Sequence, residues 1–593
     1  MTPPREEYER RIARWNDRIA LGDRQHLTIS NLRLAVAGLA AFVLWLAVVR
    51  WTWSPAWILV PLVAFAVLVV WHARVLQRTE RARRAKRLYE RGVDRIDGRW
   101  MGSGPDGARF AIEHPFAHDL DLFGEGSLFQ LYDTARTEIG EETLADWLRA
   151  PAAVNEVVAR QQAVAELRSM LDFREGIAVL AAEAEVGRTG ALAGWASGPP
   201  IDLSPPAGIL FVACAAITLA LTAATLAGRI EWVWVVAFVF LHRTIALPWR
   251  GRVAQTLYGI GTPERDLGLV SALLGRIERE SFTSPRLSAL KGALMTEGVP
   301  PSERIANLRR LISWLYSEDN LMFRPISAAL LWRYIFAVAI ARWHRAYGAA
   351  VVKWLAVVGE MEALSALATQ AYEHPEDPFP DVVEGAPLFD AGALGHPLIP
   401  VATAIPNDVA VGRDHPHVLI VSGSNMSGKS TLLRAVGVNV VLALAGGAVR
   451  AARMRMSPLA IGATLRVDDS LQEGHSRFYT EILRIRAIVE QAARGMPVLF
   501  LLDEVLHGTN SHDRRIGADA IVRALVAHGA IGMVTTHDLA LAELATTLGR
   551  GAANVHFADR IEDGRMVFDY RMRSGVVTRS NALELMRAIG LEV

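Results

Sequence analysis

Residues 416–431 read PHVLIVSGSNMSGKST, and this stretch decides the fold of the C-terminal part of the chain. Its apolar run at 418–421 predicts a buried strand, and the residues from Leu432 onward predict a helix. The run between them has the spacing Gly-x-x-x-x-Gly-Lys-Ser. Such a strand–loop–helix unit is a phosphate-binding loop, because its glycines let backbone amides at the helix N-terminus face a phosphate group.

This loop supplies most of the contacts that we expect for a nucleoside triphosphate. Lys429 is predicted to reach the β- and γ-phosphates, and the Ser430 hydroxyl is predicted to bind Mg²⁺. Further phosphate contacts are expected from the remaining residues of the loop: Gly423, Ser424, Asn425, Met426, Ser427, Gly428 and Thr431. The predicted cofactors are therefore ATP and Mg²⁺.

Two later strands are predicted to complete the site. Residues 497–504 form an apolar run that ends in Asp503 and Glu504, and residues 531–538 form another that ends near His537. A strand tip holds Asp503 near the metal, while Glu504 can orient or deprotonate the attacking water. His537 is predicted to contact the γ-phosphate, although a histidine in such a position is more often an ordinary packed residue.

Composition narrows the class of protein. A chain of 593 residues is too long for one hydrophobic core, so three or four domains are expected. The 63 basic and 62 acidic residues nearly cancel, which excludes a histone-like polycation and an acidic disordered tail. A single cysteine, Cys214, excludes an intrachain disulfide and a cysteine zinc cluster, and a reducing compartment fits this composition best.

The apolar excess is concentrated in four runs. Residues 34–49 and 55–71 carry no charge, and they predict a helical hairpin in a membrane with Trp51, Trp53 and Trp71 at the interface. A buried core hairpin is the alternative. Residues 207–227 form a convincing third span, whereas the run at 232–242 is weak.

A basic segment follows the first hairpin and sets its orientation. Nine basic residues lie between 74 and 95: Arg74, Arg78, Arg81, Arg83, Arg84, Lys86, Arg87, Arg91 and Arg95. By the positive-inside rule this segment and the N-terminus stay in the cytoplasm. The segment suits anionic lipid head groups better than nucleic acid phosphates, because it adjoins a span. We therefore expect a multi-pass protein of the inner, cytoplasmic membrane with its nucleotide site in the cytoplasm.

From about residue 396 onward, the motifs resemble the ATPase domain of the MutS family of DNA mismatch-repair proteins. The matching elements are His396-Pro397, Ile405-Pro406-Asn407-Asp408, the loop itself, Asp468-Asp469, 474–478, Asp503-Glu504, Gly508-Thr509, Asp513, Thr536-His537, 554–556 and Ser574-Gly575. The resemblance implies that Ile405 packs on adenine and that Ser476 meets the nucleotide of the opposite subunit in a homodimer. It also implies coupling of ATP turnover to DNA. Upstream, segments from about 115 to 167 and at 360–364 resemble the helical core and lever helices of the family.

The sequence also departs from the family pattern. The first 110 residues leave no room for the mismatch-reading domain, and the Phe-x-Glu triplets at 123–125 and 173–175 are expected to lie in the helical core. His507 stands where the family usually has arginine after the acidic pair, and Arg477 and Tyr479 alter the signature segment. Signalling between subunits is therefore expected to differ.

These patterns together predict an α plus α/β multidomain chain with transmembrane helices, a MutS-like helical core and lever domain, and a C-terminal P-loop NTPase domain of the ABC type. The predicted parts are 1–33, a cytoplasmic segment; 34–72, a transmembrane hairpin; 73–109, a basic segment; 110–200, helical core; 205–248, a second transmembrane pair; 249–380, helical core and lever; and 385–593, the ATPase domain. The first functional hypothesis is a membrane-anchored ATPase whose helical arms clamp mismatched or structured DNA. The second is a membrane ATPase that acts on a protein or membrane partner without DNA, and a transporter is a third.

Overall fold

A computed structural model describes residues 3–577 except 52, 113, 183–188, 200–202, 204, 259–263, 296–297, 425, 467–476, 508, 538 and 563–564. Within these residues the chain forms helices up to residue 373, and strands and helices alternate after residue 381. The sequence prediction of a mixed helical and α/β chain is confirmed at this level.

The chain begins with two long antiparallel helices. α1 (Pro4–Val48) and α2 (Leu59–Ile96) are joined through a short 3₁₀ turn at Pro55–Ile58. Each helix is continuous from a polar half into an apolar half, and the large side chains of the apolar halves are mostly exposed. In the polar halves, Gly22 lies against Thr79 so closely that a Cβ at Gly22 would clash. We call these polar halves the stalk (residues 4–33 and 73–96).

Much of the basic segment on α2 is engaged by acidic partners. Arg83 pairs with Asp23 of α1 at 2.9 Å, and Lys86 pairs with Glu90 at 3.4 Å. Arg95, whose side chain is only 9% exposed, pairs with the buried Glu373 at 2.6 Å. The segment therefore supplies an ion pair between α1 and α2 as well as carrying positive charge, and Arg95 is mostly shielded from solvent.

In the described part of the chain, nine helices surround one long helix and form the helical body with it. The surrounding helices are α3 (Leu128–Tyr132), α4 (Glu138–Arg149), α5 (Val154–Ser169), α6 (Leu171–Ala181), α7 (Thr189–Ser197), α11 (Glu264–Arg279), α12 (Pro285–Leu294), α13 (Pro301–Tyr316) and α14 (Arg324–Ala329). The long helix is α15 (Trp332–Glu373), which buries Trp354, Met361 and Leu364 against them. Both Phe-x-Glu triplets lie in this body, where Phe123 packs against the core and Phe173 is buried.

The second apolar pair leaves this body and returns to it. α8 (Pro205–Leu226) and α9 (Trp232–Ala246) are followed by a 3₁₀ turn and α10 (Arg250–Tyr258). Near the first residues of α15, Phe211 of α8 packs against Tyr334 with ring centroids 5.3 Å apart. Among the described residues, four helices are long and apolar enough to cross a membrane, by length and composition: Pro4–Val48, Ala56–Ile96, Pro206–Leu226 and Trp232–Leu257. The weak fourth run thus lies in a helical stretch of 26 residues.

The C-terminal part contains two sheets. The smaller has the order β1 (Asp381–Val382), β5 (Arg453–Met456), β2 (Leu388–Leu394) and β3 (Asn407–Gly412). The larger has the order β10 (Arg565–Ser574), β9 (Ala552–Glu562), β4 (Val418–Ser422), β8 (Ile531–Thr536), β7 (Val498–Leu502) and β6 (Ala460–Thr464). Its strands are parallel apart from the antiparallel pair β9 and β10. The associated helices are α16 (Lys429–Ala445), α17 (Arg477–Ala492), α18 (Ser511–Ala527) and α19 (Leu539–Leu548).

This strand order positions the predicted site. Strands β4, β8 and β7 are neighbours, and every residue of these three strands is buried. The carboxyl ends of parallel strands meet at one edge of a sheet, where doubly wound folds bind their ligands. The loop after β4, the acidic pair after β7 and His537 after β8 therefore come together.

Candidate nucleotide-binding site

The loop between β4 and α16 has the backbone of an anion cradle. Gly423 and Gly428 have φ angles of 152° and 102°, and Met426 has a φ of 68°. Position 428 requires glycine for two reasons. Its φ angle lies in the left-handed region, and a Cβ atom there would lie 3.2 Å from the ring of Tyr570. The loop leads directly into α16, whose N-terminal amides are available to an anion.

Lys429 lies across this loop. Its Nζ donates hydrogen bonds to the carbonyl oxygens of Gly423 at 2.9 Å and Ser424 at 2.8 Å. Burial lowers the pKa of Lys429, while Glu504 and Asp503 oppose that shift. The ammonium is thus held inside the site, within the loop that is predicted to receive the phosphates.

Two serine hydroxyls of the loop have no partner in the described part of the structure. The Oγ atoms of Ser424 and Ser427 are buried and make no hydrogen bond there. Buried polar atoms in proteins are nearly always paired, so an orphaned hydroxyl in a cleft points to a ligand that is bound in another state. A triphosphate fits this donor set.

Asp503 joins the loop to the neighbouring strands. Its Oδ2 accepts a hydrogen bond from Ser430 Oγ at 2.6 Å, and its Oδ1 accepts one from Thr535 Oγ1. The Thr535 hydroxyl in turn accepts a hydrogen bond from the amide of Glu504 at 3.0 Å. A hydroxyl and a carboxylate side by side are the oxygen ligands that Mg²⁺ prefers, so Ser430 and Asp503 fit the predicted metal position.

Glu504 is surrounded by two histidines. Its carboxylate oxygens lie 3.5 Å from His537 Nδ1 and 3.7 Å from His507 Nε2. The three side chains offer ligand atoms within 4.8 Å of one another, a spacing that suits a bound water or a cation. Glu504 has a φ of 48°, and a left-handed backbone at a residue other than glycine is a form of strain that is concentrated at functional sites. Arg514 of α18 approaches from the far side, 3.5 Å from His537 Nε2.

A cavity of about 230 Å³ extends from the loop and is suited to a base. Ile405, Gly428 and Thr431 line it together with Phe557 and Tyr570. Tyr570 is held in place through its backbone, because Asn407 donates to the Tyr570 carbonyl oxygen at 3.0 Å and accepts from the Met572 amide at 2.7 Å.

His396 also lines this cavity. Burial lowers the pKa of His396 to about 4, and its Nδ1 accepts a hydrogen bond from the Leu398 amide at 3.2 Å. The imidazole is therefore neutral near neutral pH, and it adds a polar group to an otherwise mostly apolar wall.

The structure brings together nearly all of the predicted site residues that it describes. The loop residues, Asp503, Glu504 and His537 share one edge of the sheet, and Ile405 lies across the cavity from the loop. Asn425 and Ser476 lie outside the described residues, as do Asp468-Asp469 and the segment at 474–476. Sequence reasoning missed Thr535, Tyr570 and Arg514. For Thr535, the sequence does contain a signal, namely a polar residue near the end of the apolar run 531–536.

The fold and the site together define a nucleotide-binding domain with a phosphate-binding loop. The family model for MutS domain V matches residues 419–592. Similar proteins are an Endonuclease MutS2 from Thermomicrobium roseum, 35% identical over 219 residues, and a DNA mismatch repair protein MutS from Geobacillus thermodenitrificans, 28% identical over 299 residues. A DNA mismatch repair protein MutS 2 from Halobacterium salinarum is 33% identical over 247 residues.

Residues 419–592 of the chain therefore form a domain of the MutS family, as these matches support and as the motifs indicate. The matches cover 36%, 49% and 41% of this chain, and 26%, 32% and 27% of the three relatives in the same order. The chain thus spans about a quarter to a third of the length of these relatives.

Proposed function

We propose that the chain is a membrane-anchored, MutS-like ATPase that binds and hydrolyses ATP with Mg²⁺ and couples turnover to DNA binding. The observation that carries the proposal is the 2.6 Å contact between Ser430 of the loop and Asp503 at the tip of β7, beside Glu504 and a base-sized cavity. Family relatives that are named for DNA mismatch repair support the DNA part.

Each group of the site has a role in this proposal. ATP would lie with its base in the cavity and its phosphates on the loop, where Lys429 exchanges its two carbonyl partners for phosphate oxygens. Mg²⁺ at Ser430 and Asp503 neutralises charge on the β- and γ-phosphates when it is bound. Glu504 takes a proton from the attacking water, and His537 faces the γ-phosphate.

A homodimer is part of the same proposal. Four apolar side chains of α17 and α18 are exposed to solvent: Tyr479, Ile482, Leu483 and Ile516. Met426 of the loop is 83% exposed. Exposed apolar groups around a nucleotide site suit burial against a second copy, whose Ser476 segment would then close the site.

Substitutions test the ATPase assignment. Glu504→Gln is expected to retain ATP binding and to slow hydrolysis by about 10²- to 10⁴-fold, because general base catalysis is lost. Lys429→Ala is expected to abolish nucleotide binding. Steady-state turnover and nucleotide binding by the detergent-solubilised full chain distinguish the two effects. Hydrolysis at the unaltered rate in Glu504→Gln would show that Glu504 is not the base.

DNA binding is tested on the same preparation. Duplex, mismatched and branched DNA are titrated with and without ATP over a series of salt concentrations, since phosphate contacts weaken as salt rises. We expect ATP to change DNA affinity in the unaltered chain and in Glu504→Gln but not in Lys429→Ala. No ATP-dependent binding to any of these DNAs would overturn the DNA part of the proposal.

One observation favours a second candidate function, in which the helical arms act on a membrane or protein partner without DNA. The start of α15, which would belong to a DNA-clamping arm, packs against the second apolar pair through Tyr334 and Val338. Movement of α15 would then reach the membrane pair directly. ATP turnover that persists without any DNA binding supports this candidate.

A further inference from the structure

A second cavity, of about 900 Å³, lies where the second apolar pair meets the helical body. We call it the interface cavity. Its walls come from the end of α9 and the start of α10, from the turn 317–319 with α14, and from the first residues of α15. Among the residues that the structure describes, its lining and that of the base cavity have none in common.

Positive charge dominates the interface cavity. Four arginines line it, Arg243, Arg250, Arg324 and Arg333, together with the two carboxylates Glu318 and Asp319. Arg333 lies 3.6 Å from Glu318. In the described part of the chain, no ion pair or side-chain hydrogen bond joins Arg243, Arg250 or Arg324 to another residue. The charge of Arg324 also acts on the Glu318 carboxylate, so the guanidinium groups of Arg243 and Arg250 are the most available to an anion.

The position of Arg243 indicates how deep the cavity reaches. Arg243 lies within the candidate span Trp232–Leu257, and Arg250 follows seven residues later, which is about 10 Å along a helix. Ala246, between them, packs beside Ala207 and Phe211 near the start of α8. A charged group within an apolar layer is tolerated when it faces a polar cavity, as Arg243 does here.

Aromatic and apolar groups surround the charged ones. Trp332 lines the cavity and donates from its indole nitrogen to the Trp314 carbonyl oxygen at 2.7 Å. Trp249 packs on Phe211 at 5.6 Å between ring centroids. Tryptophan collects at the level of lipid head groups. Leu321 and Met322, in the turn before α14, are 84% and 85% exposed, which suits contact with acyl chains.

We propose that the interface cavity binds the phosphate group of an anionic glycerophospholipid. Arg243, Arg250 and Arg324 hold the phosphate by charge-assisted hydrogen bonds, and the apolar rim at Leu321 and Met322 receives the acyl chains. The inference rests on the membrane anchoring in the proposed function. It goes beyond that proposal because the lipid bridges the second apolar pair and the helical body, so the composition of the membrane acts on α15.

The test uses the full chain reconstituted in nanodiscs of neutral phosphatidylcholine with increasing phosphatidylglycerol. Native mass spectrometry after release counts the phosphatidylglycerol molecules that remain bound. One site per chain is expected to saturate. The triple substitution Arg243→Gln, Arg250→Gln, Arg324→Gln is expected to weaken binding about fivefold for each arginine removed. The charge-preserving lysine triple is expected to retain most of the affinity.

Two exposed arginines of α2 provide the matched control. Arg74→Gln with Arg78→Gln removes basic charge beside the first hairpin, and it is expected to leave the single site intact. Equal phosphatidylglycerol retention by the glutamine triple and the unaltered chain would overturn the inference. Competition by millimolar inorganic phosphate that is as effective as the lipid would also overturn it, because the site would then bind a soluble anion.

Two further readouts separate this inference from the proposed function. ATP turnover in neutral nanodiscs is expected to be unchanged in the glutamine triple, which shows that the variant is folded. Alkaline carbonate extraction reports insertion: a chain that is extracted contradicts the anchoring itself. A chain that stays inserted and turns over ATP, yet binds no lipid selectively, contradicts only the lipid site.

Discussion

Asp503 is the residue through which the parts of the site are joined. One of its carboxylate oxygens accepts a hydrogen bond from the Ser430 hydroxyl, and the other accepts one from the Thr535 hydroxyl. The Thr535 hydroxyl also accepts a hydrogen bond from the backbone amide of Glu504. The fully buried Thr535 therefore fixes both acidic residues relative to β8. In the proposed mechanism, Asp503 and the hydroxyl oxygen of Ser430 would hold Mg²⁺, which would supply positive charge to the phosphates.

The Ser430 hydroxyl gives a test of the metal position. Ser430→Ala removes one oxygen ligand, so the Mg²⁺ concentration needed for half-maximal ATP turnover is expected to rise at least about tenfold. Ser430→Thr keeps the hydroxyl and is expected to restore the unaltered Mg²⁺ dependence. Titration of turnover with Mg²⁺ at saturating ATP measures the effect. An unchanged Mg²⁺ dependence in Ser430→Ala would remove Ser430 from the metal site.

Tyr570 gives a test of the base cavity. Stacking of a base on an aromatic ring contributes about 1–3 kcal/mol, so Tyr570→Ala is expected to weaken ATP binding about tenfold. Tyr570→Phe keeps the ring and should bind as the unaltered chain does. Inorganic tripolyphosphate has no base, and its affinity is expected to be the same in all three proteins. An equal loss of tripolyphosphate affinity would mean that Tyr570 acts on the loop and not on the base.

Some residues of the nucleotide site can be predicted from the sequence, and others cannot. Lys429, Ser430 and Asp503 are predictable because a local motif and the ends of parallel strands determine their positions. Tyr570 is not, because it reaches the loop through an irregularity: the register of β10 on β9 shifts between Phe568 and Met572, and Tyr570 has a φ of 54°. Such a bulge redirects a side chain, and no pattern in the sequence marks it.

At the scale of elements, α15 connects the other parts of the molecule. Its 42 residues extend over about 63 Å. Its first residues pack against α8, and its last residue, Glu373, is buried against the stalk. Shortly after Glu373 the chain enters β1. One helix therefore joins the second apolar pair, the stalk and the ATPase domain.

The buried cluster of Tyr8, Arg95 and Glu373, which we call the clasp, is the second element-scale feature. Glu373 accepts from Arg95 Nε at 2.9 Å, from Arg95 Nη2 at 2.6 Å and from the Tyr8 hydroxyl at 3.1 Å. Apolar periodicity predicts neither this pairing nor the continuity of α1 and α2 through their polar halves. In the sequence, Arg95 cannot be distinguished from the other basic residues between 74 and 95. Its special role depends on its contact with Glu373, which lies 278 residues away in the chain.

The clasp predicts a large effect of a conservative substitution. Glu373→Gln leaves the Arg95 guanidinium buried without an anion, which is expected to cost about 3–5 kcal/mol. Glu9→Gln, in an exposed pair with Arg5, is the control and is expected to change stability little. Thermal unfolding and limited proteolysis of the detergent-solubilised full chain measure both. Equal stability of the two variants would contradict a structural role for the clasp.

At the scale of the whole molecule, the arrangement of apolar helices makes a topology prediction. Both helices of the first apolar pair continue into the stalk, and the second pair is followed by a 3₁₀ turn and α10, so the stalk and the ATPase domain are expected on the cytoplasmic side. The short links between paired helices, at Ser54 and Arg229, are then expected on the opposite side. Cys214 is buried and is the chain's one cysteine, so Cys214→Ala provides a background for single-cysteine labelling.

In that background, a membrane-impermeant maleimide applied to intact cells is expected to label Ser54→Cys and Arg229→Cys. It is expected to label Asp17→Cys and Arg494→Cys only after the membrane is permeabilised, because these exposed positions belong to the stalk and the ATPase domain. Labelling before and after permeabilisation, read by mass shift on a gel, gives the side of each position. Labelling of Arg229→Cys only after permeabilisation would mean that α8 and α9 do not cross the membrane. Arg243 would then lie outside the apolar layer of the membrane, and it would not need a polar cavity there. The lipid site would lose its physical basis in that case. The proposed nucleotide site would be unaffected, because the described residues that line its base cavity are separate from those that line the interface cavity.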